Sequence, residues 1–581
     1  MKKLAIYLKD YKKETIFAPL FKMLEACFEL FIPLVVAAII DKGIGREDPS
    51  YILKMCVLMV ALGVTGLICS ITAQFFAAKA AVGFATKLRH ALFTHIQSLS
   101  YTEMDTIGTS TLITRMTSDI NQAQSGVNMV LRLFLRSPFI VFGAMIMAFT
   151  VDAKAAVVFA MTIPILSVVV FAIILFSIPL YKKVQTLLDK VLGITRETLT
   201  GVRVIRAFHL EQQEIEHFDE ENEALKKMQI FVGRFSAFLN PLTYVIINGA
   251  TIALIFGGAL RVDSGAITRG EVVALVNYMS QILVELVKLA NLIVTVTKAV
   301  ACANRIQDVF EVTSTIREKE DAQDHFERKK GEKTNKNDAV VIFRNVCLTY
   351  AGAGAEALTD IDFTVKEGET VGIIGGTGSG KSSVINLIPR FYDATKGEVL
   401  VDGINVKDYP IKDLRDKVGV VPQKAVLFQG TVRDNLKWGD ESANDNAIWE
   451  ALKTAQAEEF IRAKDGKLNE PVSQGGKNFS GGQRQRLTIA RALVKKPRIL
   501  ILDDSASALD YLTDLNLRKA IAKMEGLGAV FIVSQRTSSI RNADRILVLE
   551  DGAVAGIGTH EELLENCSVY QEIHHSQSSD A

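Results

Sequence analysis

Between Thr15 and Val300 the chain returns repeatedly to apolar runs near the roughly 20 residues that a helix needs to cross a bilayer, and after Glu311 no run approaches that length. This feature divides the sequence into a membrane half and a soluble half. Six spans are expected, near residues 15–40, 51–76, 137–150 with the helical turns before it, 154–180, 230–260 and 272–300. Composition agrees, since 49% hydrophobic against 23% charged residues excludes a disordered chain. A mean hydropathy of +0.22 is high for a purely soluble one.

Lys2, Lys3, Lys9, Lys12 and Lys13 precede the first span, and Lys182, Lys183, Lys190, Arg196, Arg203 and Arg206 follow the fourth. Basic residues of this kind stay on the cytoplasmic side, so both termini are expected there. Stretches of about 50 residues after the second and fourth spans read as helices projecting into the cytosol. Within the first span, Lys22, Glu25 and Glu29 share one helical face. Two readings stand: an aqueous substrate cavity in which Glu25 and Glu29 attract cationic amphiphiles, or Lys22 snorkelling with Glu25 as its partner. Glu285 and Lys288 in the sixth span can neutralise each other, and Asn240-Pro241 in the fifth reads as a kink. Lys+Arg 66 against Asp+Glu 65 leaves a net charge of +1, so there is no basic field to hold nucleic acid. The six cysteines form no CxxC and no cluster with histidine at ligand spacing, which argues against a disulfide framework or a zinc site.

The expected domains are therefore a helical membrane domain over 1–310, a solvated charged linker over 311–338, and an α/β nucleotide-binding domain over 339–581. Strands are expected at 339–350, 361–374 and 498–502, with helices at 382–390 and 483–494. Between a strand and a helix, Gly375-Gly376-Thr377-Gly378-Ser379-Gly380-Lys381-Ser382 matches the phosphate-loop pattern G-x-x-x-x-G-K-S/T, with Ser383 next. Its glycines let backbone N–H groups converge on phosphate oxygens, Lys381 offers a cation to the β/γ-phosphates, and Ser382 can ligate magnesium. ATP binding follows. Asp503 ends the apolar run 499–502, the placement that holds magnesium beside such a loop. Ser480, Gly481, Gly482 and Gln483 open a further helix and present unblocked N–H donors and a hydroxyl to an anion.

Together these motifs resemble the ATP-binding-cassette (ABC) family, and six spans ahead of one nucleotide-binding domain extend the resemblance, to its exporters, over nearly the whole chain. The resemblance implies an all-α polytopic membrane domain followed by an ABC-type α/β domain in a bacterial plasma membrane, with ATP and magnesium as cofactors. It makes Tyr350 the adenine-stacking aromatic, Ser382, Gln423 and Asp503 the magnesium ligands, and 108–119 and 201–218 the intracellular helical regions. It also has Ser480–Gln483, with Asp510 of the D-loop, act on the nucleotide of a partner subunit.

Two departures from the family pattern bear on mechanism. Asp504 stands where a glutamate activates the attacking water, one methylene short, and Gln535 stands where a switch histidine is usual and cannot titrate. With the phosphate loop and signature complete, the pattern resembles the degenerate-site subunit of heterodimeric multidrug exporters. Such a subunit implies a second half-transporter with intact Glu and His and an altered signature, moving a drug, lipid or peptide. The alternative is an ATP-gated regulatory or channel-like member. Gln474, where exporters usually carry Glu, has no consequence that follows from the sequence.

Overall fold

The computed structural model describes residues 3–318, 339–505 and 507–578. They form two compact units, Met1–Gln97 with Ser110–Val312, and Ser98–Thr109 with Thr313–Ala581. In the first unit, among the described residues, six helical stretches are long and apolar enough to cross a membrane: Lys3–Ile44, Pro49–Ser98, Thr109–Val151, Ala153–Ala207, Glu211–Asp263 and Arg269–Glu311. The second and fourth contain 50 and 55 residues. At about 1.5 Å per residue each runs more than twice the roughly 30 Å of a hydrocarbon core, so helix continues well past the bilayer. The third stretch breaks at Phe134-Leu135, between the helices Ile120–Leu133 and Arg136–Val151. The fifth is interrupted at Phe238, just ahead of Asn240-Pro241. Fully buried Ala26, Ala144, Ala148, Ala274 and Ala290 let these helices approach closely around Phe159, Leu166, Tyr278 and Ile282.

One polar cluster interrupts that apolar core. Arg136 is buried and bridges Glu29 and Glu285, each at 2.6 Å. Glu285 also accepts from Ser137 at 2.8 Å and pairs with Lys288 at 2.8 Å, while Lys22 donates to Glu25 at 2.5 Å and to Ser70 at 3.0 Å. The three bases, Lys22, Arg136 and Lys288, balance the three acids, Glu25, Glu29 and Glu285. Glu25 and Glu29 each have a basic partner within the chain, Lys22 being buried beside Glu25 while the Glu29 side chain stays 38% exposed. The pairing of Glu285 with Lys288 is present, but Arg136 is its more buried partner.

The second unit holds two main sheets. Strands β1 (Val341–Leu348), β2 (Leu358–Val365), β3 (Glu369–Gly375), β4 (Lys396–Val401), β5 (Ile404–Asn405) and β6 (Val418–Val421) come first in the chain. They are followed by β7 (Gly430–Thr431), β8 (Pro471–Val472), β9 (Ile499–Asp503), β10 (Ala529–Val533), β11 (Arg545–Glu550) and β12 (Ala553–Gly558). One sheet has the order β2-β1-β4-β5 and is antiparallel. The other has the order β12-β11-β3-β10-β9-β6, parallel except at the β12 edge, and β7 and β8 pair separately. The single strand expected over 361–374 is two strands in different sheets, because the turn before Glu369, with Gly368 at φ +78° donating to the Gly528 carbonyl, redirects the chain. The buried strand faces, led by Ile373, Ile501 and Phe531, are nearly continuous apolar runs, as a parallel sheet covered on both sides requires.

Of the expected linker, 319–338 lies outside the described residues. Its near end is largely exposed but held at points: Ile316 is buried, Thr315 N–H donates to Glu103 at 3.1 Å, and Glu318 accepts from the Ile411 N–H at 2.7 Å. The short helix Tyr101–Ile107 belongs to this unit too, with Tyr101 against Phe391 (4.8 Å between ring centres) and Asp105 accepting from the Tyr392 hydroxyl at 2.6 Å.

The charge cluster makes a graded prediction. Arg136→Ala removes the buried base that Glu29 and Glu285 share and is expected to cost about 3–5 kcal/mol, read as a lower thermal midpoint of the detergent-solubilised protein. Lys288→Ala is expected to cost much less, because Glu285 keeps Arg136 and Ser137 and the Lys288 side chain is 43% exposed. Equal losses would contradict the central place of Arg136.

Candidate functional site

The phosphate loop leaves the end of β3 and enters the helix Lys381–Leu387 through Gly380, whose φ of +93° lies in the left-handed region. A Cβ at Gly380 would also meet Leu358 at 2.6 Å, and one at Gly375 would meet the Leu549 carbonyl oxygen at 2.2 Å. Both positions therefore require glycine. Lys381 folds back over the loop, its Nζ donating to the Gly375 and Gly376 carbonyls at 2.9 and 2.5 Å and to Ser379 at 3.4 Å. Parallel pairing of β3, β10 and β9 sets Ile373, Val533 and Asp503 in register, so that the loop, the β10 end and both aspartates meet at one edge.

There Ser382 Oγ donates to the two Asp503 oxygens at 3.2 and 3.3 Å, and Gln423 Nε2 donates to Asp504 at 3.4 Å. Tyr350 shares a 2.8 Å hydrogen bond with Ser383, and the Tyr392 ring meets it edge-on at 5.1 Å. Asp504 sits at φ +44°, a left-handed backbone that a short polar side chain tolerates, and its N–H donates to the Val533 carbonyl at 3.0 Å. An open cavity of about 320 Å³ is lined by Tyr350, residues 377–383, Gln423, Asp503, Asp504, Ser534 and Gln535, among others.

The site's electrostatics suit a ligand carrying both signs. Burial pushes the Asp503 carboxyl above its ordinary range, and Asp504 adds to this against the pull of Ser382 and Lys381. Burial likewise pushes the Lys381 ammonium down, opposed by Asp503 and Asp504. A cation beside Asp503 and phosphate oxygens around Lys381 relieve both. Ser382, Asp503 and Gln423 are the residues that would hold magnesium, which when bound polarises the phosphate oxygens.

Most of the expected nucleotide residues converge here. Ser480, Gly481, Gly482, Gln483 and Asp510 do not line the cavity. Ser480 caps the helix Gly481–Val494 in a reciprocal box with Gln483, 3.0 Å from its N–H to Gln483 Oε1 and 3.3 Å from the Gln483 N–H to its Oγ. Asp510 caps the helix Tyr511–Ile521, accepting from Thr513 N–H at 3.1 Å. Sequence reasoning missed Ser534, whose side chain is buried beside the switch position, and Tyr392, which stands between Tyr350 and Asp105. The serine carries no local motif, and the tyrosine's partners are distant in sequence.

Comparison with known proteins agrees with this geometry. Residues 15–286 match the family model of the ABC transporter transmembrane region, and residues 358–507 match that of the ABC transporter. An uncharacterized ABC transporter ATP-binding protein of Mycobacterium bovis is 37% identical over 580 residues, covering 99% of this chain and 98% of that one. The chain belongs to the ABC transporter family. It is an ABC half-transporter, with one six-helix membrane region and one nucleotide-binding domain. The ABC transporter ATP-binding protein YfiB of Bacillus subtilis is 34% identical, with 99% and 98% covered. An ATP-dependent lipid A-core flippase of Escherichia coli is 28% identical, with 98% and 96% covered. A solved bacterial Atm1-family ABC exporter with ATP bound shares the fold, at a TM-score of 0.78 and 22% identity over 98% of both chains.

The half-transporter's buried aspartate makes a pH-dependent prediction. Its folded pKa is raised, so the stability gained on protonation is full below the unfolded value and is lost as pH rises through the folded one. Without nucleotide, Asp503→Asn is therefore expected to raise the thermal midpoint by a few degrees at pH 8, with the gain shrinking on acidification. With Mg-ATP the wild type is expected to gain stability that the variant does not. A gain that grows as pH falls would contradict the assignment.

Proposed function

We propose that this half-transporter pairs with a second, different half-transporter to form an ATP-driven exporter of amphipathic drugs, lipids or peptides, with both termini cytoplasmic. Its own site holds Mg-ATP and hydrolyses it slowly, while Ser480–Gln483 completes the competent site on the partner. The observation that carries this reading is Asp504. Its carboxylate is one methylene short of the general base usual there, rises from a left-handed backbone and is engaged by Gln423 at 3.4 Å. General-base positioning contributes about 10²–10⁴ in rate, and a displacement near 1 Å forfeits much of that. Gln535, on the same cavity, adds a neutral side chain where an imidazole would move a proton.

The intact phosphate loop and the capped signature helix support ATP retention here and a γ-phosphate contact across the dimer. A lipid-like cargo is supported by the lipid A-core flippase among the relatives. Internal neutralisation of Glu25 and Glu29 weighs against these acids as a cation trap.

The asymmetry is tested by ATPase assays on the assembled heterodimer. Ser480→Arg puts a bulky cation where the partner's γ-phosphate docks and is expected to lower turnover more than about tenfold. Asp504→Asn is expected to change it less than about twofold, since a slow site adds little to flux. Equal abolition by both would mean that this chain hydrolyses its own ATP.

A further inference from the structure

The loop that carries Gln535 is held from behind by the C-terminal helix, Ser568–Ser578. Gln577 Nε2 donates to the Gln535 carbonyl at 2.7 Å, and Gln577 Oε1 accepts from the Thr537 N–H at 2.9 Å and from its hydroxyl at 3.0 Å. One side-chain amide thus spans the loop from 535 to 537 as a neighbouring strand would. Thr537 is buried and opens the helix Thr537–Ile540, so its N–H belongs to the turn that a helix cannot satisfy internally. The C-terminal helix is itself anchored. Fully buried Tyr570 shares a 2.8 Å hydrogen bond with His560, and the same apolar cluster includes Ile540 and Ile374, the residue just before the phosphate loop.

We propose that Gln577 is a positioning residue for the nucleotide site: by clamping the backbone on both sides of Arg536 it fixes the Gln535 side chain toward the γ-phosphate of bound ATP. This rests on the reading of Gln535 as the switch position of the chain's own site. The hydrogen bonds of Gln577 reach the Gln535 carbonyl and Thr537, so its influence runs through the loop backbone. Without it, the Gln535 carbonyl and the Thr537 N–H lose the partner that links them, and the loop is free to move Gln535. The readout of such a shift is selective, because only a triphosphate has the group that Gln535 meets, whereas the phosphate loop holds the β-phosphate of ATP and ADP alike.

The test is equilibrium binding of a non-hydrolysable Mg-ATP analogue and of Mg-ADP to the full-length protein in detergent, which does not depend on turnover. Gln577→Ala is expected to weaken the triphosphate analogue about three- to tenfold, the worth of one modest hydrogen bond, with ADP unchanged within about twofold. Gln535→Ala is expected to do the same, and the double variant to add nothing to either. Gln577→Glu, which keeps the acceptor for Thr537 but sets a carboxylate oxygen against the Gln535 carbonyl, is expected to lower selectivity as well. Parallel loss of both nucleotides, wild-type selectivity in Gln577→Ala or in Gln577→Glu, or additive effects in the double variant overturns the proposal. If Gln535→Ala alone lowers selectivity, the clamp fails and the switch reading stands. If Gln535→Ala leaves selectivity intact, the switch reading fails and the clamp with it.

Discussion

Three parallel strands with their ends in register are the constraint on which the nucleotide site depends. Hydrogen bonding of β10 between β3 and β9 aligns Val533 with Ile373 on one side and with Asp503 on the other. The phosphate loop, the two aspartates and Gln535, far apart in sequence, are thereby delivered to one sheet edge. Because these strands are buried on both faces, a register slip would disrupt two cores at once, which makes the alignment rigid. The side chains at that edge are correspondingly desolvated, as the upward shift at Asp503 and the downward shift at Lys381 register. A site that disfavours its own charges is one that a magnesium–phosphate ligand stabilises.

The membrane unit handles buried charge differently. Its acids and bases neutralise one another within the chain, with Arg136 joining the first and sixth spans through Glu29 and Glu285. In the nucleotide-binding domain charge is left for a ligand, and in the membrane domain it is satisfied internally. This contrast favours reading the charge cluster as a tie between helices and the sheet edge as the place where nucleotide binds.

Much of this is legible in the sequence where the determinant is local. The phosphate loop is one: Gly380 in a left-handed backbone and Gly375 against Leu549 leave few alternatives, and the residues needed are consecutive. The six spans are another, because the length of an apolar run is a property of the run itself. Legibility fails where a partner lies far along the chain. Arg136, at the start of the third span's second helix, shows no local sign of its partners Glu29 and Glu285, which lie over a hundred residues away. The break before Glu369 is itself local and legible: Lys366-Glu367-Gly368-Glu369 is a charged turn with glycine that interrupts the apolar pattern, and the single strand expected over 361–374 runs across it. Gln577 carries no motif, and its role comes from a hydrogen-bond pair that only the folded chain brings together.

The central claim of the proposal is that this chain's own site keeps ATP instead of spending it, while its signature serves another site. The most direct measurement is to load the purified full-length chain, without a partner, with radiolabelled Mg-ATP, remove free nucleotide, and identify what remains bound over time. The account predicts a stoichiometric fraction that stays ATP for many times the turnover period of an active exporter. Rapid conversion of the bound nucleotide to ADP with release and rebinding would contradict it, and would make Asp504 a competent general base despite its shorter reach.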